Sequence, residues 1–203
     1  MAVDSLEQLE AIYETRVSDA ARLKETDRII PPYARLIEAS PFAVLATAGP
    51  EGLDCSPRGD RPGFLRVADD RTLVLPDRKG NNRLDSLRNI LNDPRVALLF
   101  LIPGSGTTLR VNGRAIISDD PALLDSLAID GKPPKTALVI SVETVYFQCA
   151  RAILRAGLWQ GDSQVDPKSL PSAGEILEAA SNARINGESF DRDWAERAPK
   201  TLW

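Results

Sequence analysis

Apolar residues repeat at helical spacing near the start of the chain and at strand spacing beyond Pro41. Leu6, Leu9 and Ile12 follow a helical period, so residues 4–25 are predicted to form one amphipathic helix. The segment "RIIPPYARLIEAS" predicts a second, short helix, because two prolines suit the first turn of a helix. The chain is therefore expected to begin with helices and to continue as strands.

Alternating and apolar runs then predict six or seven strands. "PFAVLATAGPEGLDCSPRGD" and "GFLRVADDRTLVLP" are typical of two hairpins, each with a polar turn at its centre. "RVALLFLIP" is apolar enough to predict a strand that is buried on both faces. "TTLRVNGRAIIS" alternates, and "KTALVISVETVYFQC" predicts the last long strand.

Helices are predicted between and after these strands. One extends from about Asn82 to Leu91 and ends at "NDP", because proline cannot continue a helix. "DDPALLDSLA" and "ARAILRAGLW" predict short helices, and "SAGEILEAAS" predicts an amphipathic helix in a tail that is otherwise polar. Without a strand–helix–strand rhythm, the pattern favours a mainly β, antiparallel, Greek-key-like barrel with flanking helices.

Three segments follow from this reading. Residues 1–30 form an N-terminal helical segment, residues 31–160 form the barrel, and residues 161–203 form a helical tail that packs on the barrel or on a partner. This division is consistent with a chain of 203 residues, 43% of them apolar, which suffices for a proper core.

Composition narrows the class of protein. A net charge of −4 gives no reason to expect nucleic acid or an anionic membrane as partner. No apolar run approaches the about 20 residues of a membrane span, and the acidic N-terminus is unlike a signal peptide. A cytoplasmic location is expected, with Cys55 and Cys149 as reduced thiols and Cys149 in the core.

The chain has no histidine. This absence excludes Ser-His-Asp and Cys-His catalysis and histidine-containing zinc sites, and two cysteines cannot form a Cys₄ site. No metal site is expected, and no side chain is an obvious catalytic acid or base. An enzyme with this composition would depend on a bound cofactor.

The stretch "LVLPDRKGNNRLDSLRNI" places cations where a strand turns into a helix. The first N–H groups of a helix are unpaired, and with the helix dipole they can bind an anion. Arg78, Lys79 and Arg83 supply charge, and Asn82 can cap the helix or donate amide hydrogens. A phosphate monoester fits this pattern; a solvated turn whose cations offset nearby aspartates fits it as well.

Arg58 stands at the end of a predicted strand in "CSPRGDRPGF". The prolines and glycines around it favour a positioned arginine over an ordinary loop arginine. Later in the chain, Arg110 lies on the polar face of a strand, and Gln148 and Arg151 follow the last strand. Arg110 shares that face with Asn112 and Arg114, and the three either meet water or line a site. Gln148 and Arg151 either bind a partner's flavin or an anionic substrate, or Arg151 forms a helix cation pair with Arg155.

The segments "FAVLATAGPEGLDCSPRGDRPGF", "TLVLPDRKGNNRLDSLRNILNDPRVALLFLIPG" and "LRVNGRA" together resemble the pyridoxamine 5′-phosphate oxidase-like superfamily of FMN-binding split barrels. They are especially similar to a branch of probable FMN-dependent enzymes with the motifs SPRGD, DRKGNNR and LRVNGRA. The resemblance covers about residues 30–160.

That resemblance implies a homodimer of split barrels with FMN at the subunit interface. It implies that the flavin phosphate is bound by Arg58, Arg78, Lys79, Asn82 and Arg83. It places Arg110, Gln148 and Arg151 near the flavin, from the same or the partner subunit. The C-terminal substrate pattern of true pyridoxamine-phosphate oxidases is not evident, which puts pyridoxamine phosphate in doubt as the substrate.

Three functions remain open at this point. The favoured one is an FMN-dependent oxidoreductase that acts on a small-molecule substrate or electron donor. The second is a non-catalytic flavin carrier or sensor. The third is a split barrel for another ligand, such as a deazaflavin or haem, although a chain without histidine argues against histidine-ligated haem.

Overall fold

A computed structural model describes residues 2–13 and 17–201 of the chain. The helices are α1 (Leu6–Tyr13), α2 (Asp19–Leu23), α3 (Pro31–Ala39), α4 (Asp85–Asn92), α5 (Pro121–Ser126), α6 (Arg151–Ala156), α7 (Ala173–Ala180) and α8 (Gly187–Arg197). The strands are β1 (Phe42–Gly49), β2 (Gly52–Gly59), β3 (Arg66–Asp69), β4 (Thr72–Asp77), β5 (Arg95–Leu101), β6 (Thr108–Ser118) and β7 (Thr136–Gln148).

The strands form one antiparallel sheet in the order β2-β1-β5-β6-β7-β4-β3. The meander β5-β6-β7 occupies the centre, with the β1–β2 hairpin on one side and the β3–β4 hairpin on the other. This arrangement confirms the prediction of a mainly β, antiparallel fold with flanking helices.

One apolar cluster unites the sheet. It takes buried side chains from β1, β4, β5, β6 and β7, including Leu45, Leu73, Leu98, Leu109 and Ile140. Strands near the two ends of the sheet, such as β1 and β4, can contribute to a single cluster only if the sheet curls around it. Within the described part of the chain no ladder joins β2 to β3, so the barrel stays open, as in a split barrel.

Helix α3 closes the barrel on one side. Its prolines form the first turn, and Tyr33 and Ile37 are buried in the core. The segment before α3 adds to the sheet, because the backbone of Thr26 pairs with Val145 of β7. On the other side, α4 packs against β1 and β2 and buries Ile90 in the same core.

Two predictions of secondary structure were wrong, and one helix of the tail was not predicted individually. Residues 4–25 do not form one helix, because Ser18 is extended and caps α2 by accepting a hydrogen bond from the Ala21 N–H. The polar end of the tail contains α8, whose first turn is capped by Asn186. Strand β5 is buried on one face, and its other face is only half-buried within this chain.

Candidate functional site

The entrance to α4 differs from its prediction. The helix begins at Asp85 and not near Asn82, because Asn82 and Leu84 have left-handed backbones with φ of 59° and 63°. Leu84 is the N-cap residue and provides no side-chain hydrogen bond. Instead, the Asn81 side chain accepts a hydrogen bond from the Arg83 N–H at 3.0 Å, which fixes the loop and leaves the helix end without a side-chain cap.

A chain of polar side chains joins β2 to α4. The Ser86 hydroxyl, 3% exposed, donates to a carboxylate oxygen of Asp54 at 2.5 Å. The Arg58 Nη2 donates to the Ser86 oxygen at 2.8 Å, and the Ser56 hydroxyl donates to Asp54 at 2.8 Å. We call Asp54, Ser56, Arg58 and Ser86 the β2–α4 network. It holds Arg58 beside the first turn of α4.

Arg58 also lies close to the end of β4. Burial raises the pKa of Asp77, and the nearby charges of Arg58 and Lys135 oppose that rise. Opposite Asp77 in the sheet, Thr136 has a buried hydroxyl with no hydrogen-bond partner among the described residues. The end of β4 therefore combines a disfavoured negative charge with unused hydrogen-bonding capacity.

Arg78 lies in a different environment from Arg58. Its Nε contacts a carboxylate oxygen of Asp60 at 2.7 Å, and its Nη1 donates to the Leu127 carbonyl at 3.0 Å. The side chain of Arg78 is 16% exposed and that of Asp60 only 1%, so this is a mostly buried ion pair. The structure thus gives Arg78 a structural partner that the sequence analysis did not anticipate.

Lys79, Asn82 and Arg83 are exposed on the loop before α4. Arg83 pairs with Asp85 at 2.7 Å, and this partner raises the pKa of Arg83. Exposed pairs of this kind contribute about 0–1 kcal/mol. The pairing agrees with the solvated-turn interpretation, but it is weak enough to be exchanged for a ligand.

The second set of predicted residues lies elsewhere. Arg110 donates to the Tyr146 hydroxyl at 3.0 Å, and its guanidinium lies 5.6 Å from the centre of that ring. Gln148 is half-buried at the end of β7, and Arg151 is exposed at the start of α6.

The register of the sheet separates Arg110 from Arg58. Arg58 is level with Ala43 and Phe100, whose side chains are buried on the core face. Arg110 is level with Leu99, which alternates with those residues and points to the other face. Residues directly opposite each other share a face, so one chain does not bring Arg58 and Arg110 together.

Cys149 and Trp159 follow the last strand and have clear environments. Cys149 is exposed, so the prediction that it lies in the core was wrong; it follows the end of β7, where the apolar pattern no longer faces the barrel. The indole N–H of Trp159 donates to the Ser105 carbonyl at 2.6 Å, which gives this side chain a structural contact.

Sequence reasoning missed Asp54, Ser56 and Ser86. A signal for two of them was present, because Asp54, Ser56 and Arg58 alternate along β2 and therefore share one face. Ser86 could not be found in this way. Its role depends on where α4 begins, and that is set by the left-handed backbone of Leu84.

The described residues contain neither a membrane-spanning helix nor a candidate metal cluster. Over the described ranges, no helix is both long enough and apolar enough to cross a membrane. In the same part of the chain, no group of three or more Cys, Asp or Glu residues is arranged to hold a metal ion.

The solved structures that this chain is similar to are distant in sequence. HupZ from Group A Streptococcus is 20% identical, with 60% of this chain and 94% of that chain covered and a TM-score of 0.49. A candidate pyridoxamine 5′-phosphate oxidase from Lactobacillus delbrueckii is 20% identical, with 60% and 95% covered and a TM-score of 0.48. A general stress protein 26-related protein from Clostridium acetobutylicum is 20% identical, with 57% and 84% covered and a TM-score of 0.44.

A comparison with curated protein sequences found no match. The profile of one protein family, described as pyridoxamine 5′-phosphate oxidase, matches residues 29–149. The matched range extends from the segment before α3 to the residue after β7, so it includes the whole sheet and the β2–α4 network. The chain therefore belongs to the pyridoxamine 5′-phosphate oxidase-like superfamily of split barrels.

Proposed function

We propose that the protein is an FMN-dependent oxidoreductase that binds the flavin phosphate between β2 and α4. The observation that carries this proposal is Arg58, held by Ser86 beside a helix end that has no side-chain cap. Hydrogen-bond donors dominate this entrance: a guanidinium, the ammonium of Lys79, the amide of Asn82 and the guanidinium of Arg83. This set of donors suits a phosphate dianion.

In this proposal Arg58, Lys79, Asn82 and Arg83 bind the phosphate. Arg78 acts mainly from behind, because its guanidinium is engaged by Asp60. Arg58 exchanges a neutral acceptor, Ser86, for a charged one, and charge-assisted hydrogen bonds are roughly twice as strong as neutral ones. When bound, the flavin takes up and releases the electrons, and the protein positions it and tunes its charge.

A homodimer completes the proposed site. The half-buried outer face of the sheet includes Val44 and Ala46 of β1 and Ala97 and Leu99 of β5, which lie level with one another. A second copy on this face would bury it, and would bring its own Arg110, Gln148 and Arg151 towards the flavin ring. Residues 161–203 are proposed to pack on the barrel or on the partner.

The division of labour in catalysis follows from the side chains present. The β2–α4 network has no histidine, so its residues bind and orient rather than transfer protons at neutral pH. The substrate is then a small molecule or a reduced electron donor that approaches the flavin, in a protein of the cytoplasm. A non-catalytic flavin or deazaflavin carrier is the alternative, since the same donors would bind either phosphate.

Two measurements on the purified protein test this proposal. The absorbance spectrum and the mass of the released ligand distinguish FMN from a deazaflavin and from haem. Anaerobic reduction of the bound ligand, followed by reoxidation with added acceptors, separates an oxidoreductase from a carrier. Bound FMN that cycles repeatedly supports the proposal, and a protein that takes up no FMN at all contradicts it.

A further inference from the structure

A second concave site lies beside the β2–α4 network. It is a cavity of about 250 Å³ between the β2–β3 loop, Arg78 and the segment that follows α5. Its lining consists of Asp60, Arg61, Pro62, Gly63, Phe64, Arg66, Arg78, Ser126, Leu127, Ala128 and Ile129. Of the residues assigned to the proposed phosphate site, Arg78 also lines this cavity, whereas Arg58, Lys79, Asn82 and Arg83 do not.

The charge of this cavity is opposite to that of the chain. Its lining contains Arg61, Arg66 and Arg78 against Asp60 alone, a net charge of +2. The whole chain carries −4. Walls of low polarity, such as Phe64, strengthen the field of those charges. A cavity of this kind attracts an anion.

Arg66 is the residue that makes the cavity a candidate binding site. Its side chain is half-buried at the start of β3, and its Nη1 donates to the Ser126 hydroxyl at 3.0 Å. Within the described residues, 2–13 and 17–201, Arg66 makes no ion pair. A guanidinium has five N–H donors, so most of its donor capacity remains for a ligand.

The back of the cavity is formed by a side chain that other residues hold in place. The Arg78 side chain, 16% exposed, is fixed by Asp60 and by the Leu127 carbonyl. Those two contacts use Nε and Nη1 and leave the Nη2 side of the guanidinium without a described partner. Arg66 at the start of β3 and Arg78 directly after β4 thus line one small space.

Size limits what this space can hold. Pockets for drug-sized ligands measure about 300–1,000 Å³, so a cavity of about 250 Å³ takes something smaller. We infer that the cavity is a binding site for a small oxyanion, a carboxylate or phosphate group that Arg66 and Arg78 bind together. The inference goes beyond the proposed flavin function and does not depend on it.

Calorimetric titration of the full-length protein tests the site directly. Inorganic phosphate and succinate are titrated separately at an ionic strength held constant with sodium chloride. Wild-type protein is expected to bind one of the two anions in the cavity, and the preferred anion shows whether the site is suited to phosphate or to carboxylate. Binding of neither anion would overturn the inference.

Variants locate the bound anion. Arg66→Gln removes the charge and should weaken binding about tenfold or more. Arg35→Gln, an exposed arginine of α3 outside the cavity, is the matched control and should bind as the wild type does. Equal binding by Arg66→Gln and the wild type would contradict the proposed site.

A double variant distinguishes anion binding in the cavity from anion binding at the flavin site. Lys79→Ala with Arg83→Ala leaves the cavity lining intact, so anion binding should persist while FMN affinity falls. Loss of anion binding in that double variant would place the anion at the α4 entrance and overturn the inference. If Arg66→Gln does not fold, Ala128→Trp decides, because it should block the cavity without changing a charge.

Discussion

Arg58, Arg78 and Arg83 lie in three different environments within one part of the molecule. Arg58 donates to Ser86 inside the β2–α4 network, Arg78 is paired with the buried Asp60, and Arg83 forms an exposed pair on the loop. The Arg78 side chain is 16% exposed and the Arg83 side chain 73%, so the three arginines do not form one cluster. Substitutions at each should have different consequences for binding and stability.

Arg83→Ala should weaken FMN binding about ten- to hundred-fold, the loss expected for a charge-assisted hydrogen bond of about 1.5–3 kcal/mol. Its own pair is exposed, so the free energy of unfolding should change by less than about 0.5 kcal/mol. Arg28→Ala is the control, because Arg28 also forms an exposed ion pair, with Asp27, and lies before α3, outside the outer face of β1 and β5. Fluorescence titration with FMN and urea unfolding give the two quantities; equal FMN affinity in both variants would favour the solvated turn.

Asp77 allows a prediction about pH. Burial raises the pKa of its carboxyl group above the ordinary 3.8, so the folded state favours the protonated form more than the unfolded state does. The contribution of Asp77 to stability is therefore fully present below pH 3.8 and is lost as pH rises through its folded-state pKa. Asp77→Asn should unfold at a higher temperature than the wild type at pH 7, and this gain should shrink as the pH is lowered. A gain that is constant with pH would contradict the assignment.

At the scale of elements, the sequence predicted which helices and strands exist better than where they begin. The two hairpins, the α4 helix and the long last strand all followed from period and turn residues. The start of α4 did not, because Leu84 adopts a left-handed backbone that a branched aliphatic residue rarely favours. Nothing in the local pattern of "NNRLD" indicates that the helix begins only at Asp85.

The helices α7 and α8 are joined by close backbone contact at two glycines. A Cβ atom added to Gly174 would lie 2.1 Å from the Gly187 carbonyl oxygen, which is too close for any side chain. In addition, the Gly174 N–H donates to Asp191 and the Gly187 N–H donates to Glu178. The pair therefore depends on glycine at both positions.

Gly174→Ala should separate α7 from α8 at a cost of about 1–3 kcal/mol, the usual range for an overpacked contact. Gly161→Ala is the control, because a Cβ atom there meets nothing within 4 Å. Limited proteolysis should cleave the tail of Gly174→Ala faster than that of the control. Equal cleavage rates would show that the two helices do not depend on this contact.

At the scale of the whole molecule, the fold could be predicted and the site only in part. Alternation and apolar runs were enough to predict an antiparallel barrel, because they fix which face of each strand is buried. The link of the β2–α4 network to α4 was not predictable from spacing, since it joins residues that are 32 positions apart, Asp54 and Ser86. The Arg78–Asp60 pair was missed for the same reason.

Two apolar surfaces of the single chain, on α1 and on the outer face of β1 and β5, could be covered by a second subunit. Helix α1 has no buried residue, and Leu6 and Ile12 are exposed on it. The outer face of β1 and β5 is half-buried and mostly apolar. Trp203 lies outside the described residues. An interface of about 2,000 Å² or more, typical of obligate dimers, would cover much of this area.

Leu99→Glu should therefore convert the proposed homodimer into monomers and reduce FMN binding, because a charge in a buried interface is costly. Leu91→Glu is the control, since Leu91 is exposed on α4 away from the outer face of the sheet. Light scattering gives the oligomeric state. Mixed subunits carrying Arg83→Ala and Arg110→Ala should partly restore FMN binding if sites are shared; a wild-type monomer that binds one FMN tightly would disprove the composite site.

The central claim is that the β2–α4 network and the loop before α4 bind a phosphate group of a flavin. The affinity of wild-type protein for FMN relative to riboflavin tests it most directly, since the two ligands differ only in that phosphate. Each charge-assisted hydrogen bond to the phosphate should strengthen FMN binding by about tenfold or more, so FMN should bind at least a hundred times more tightly. Equal affinity for FMN and riboflavin would contradict the claim.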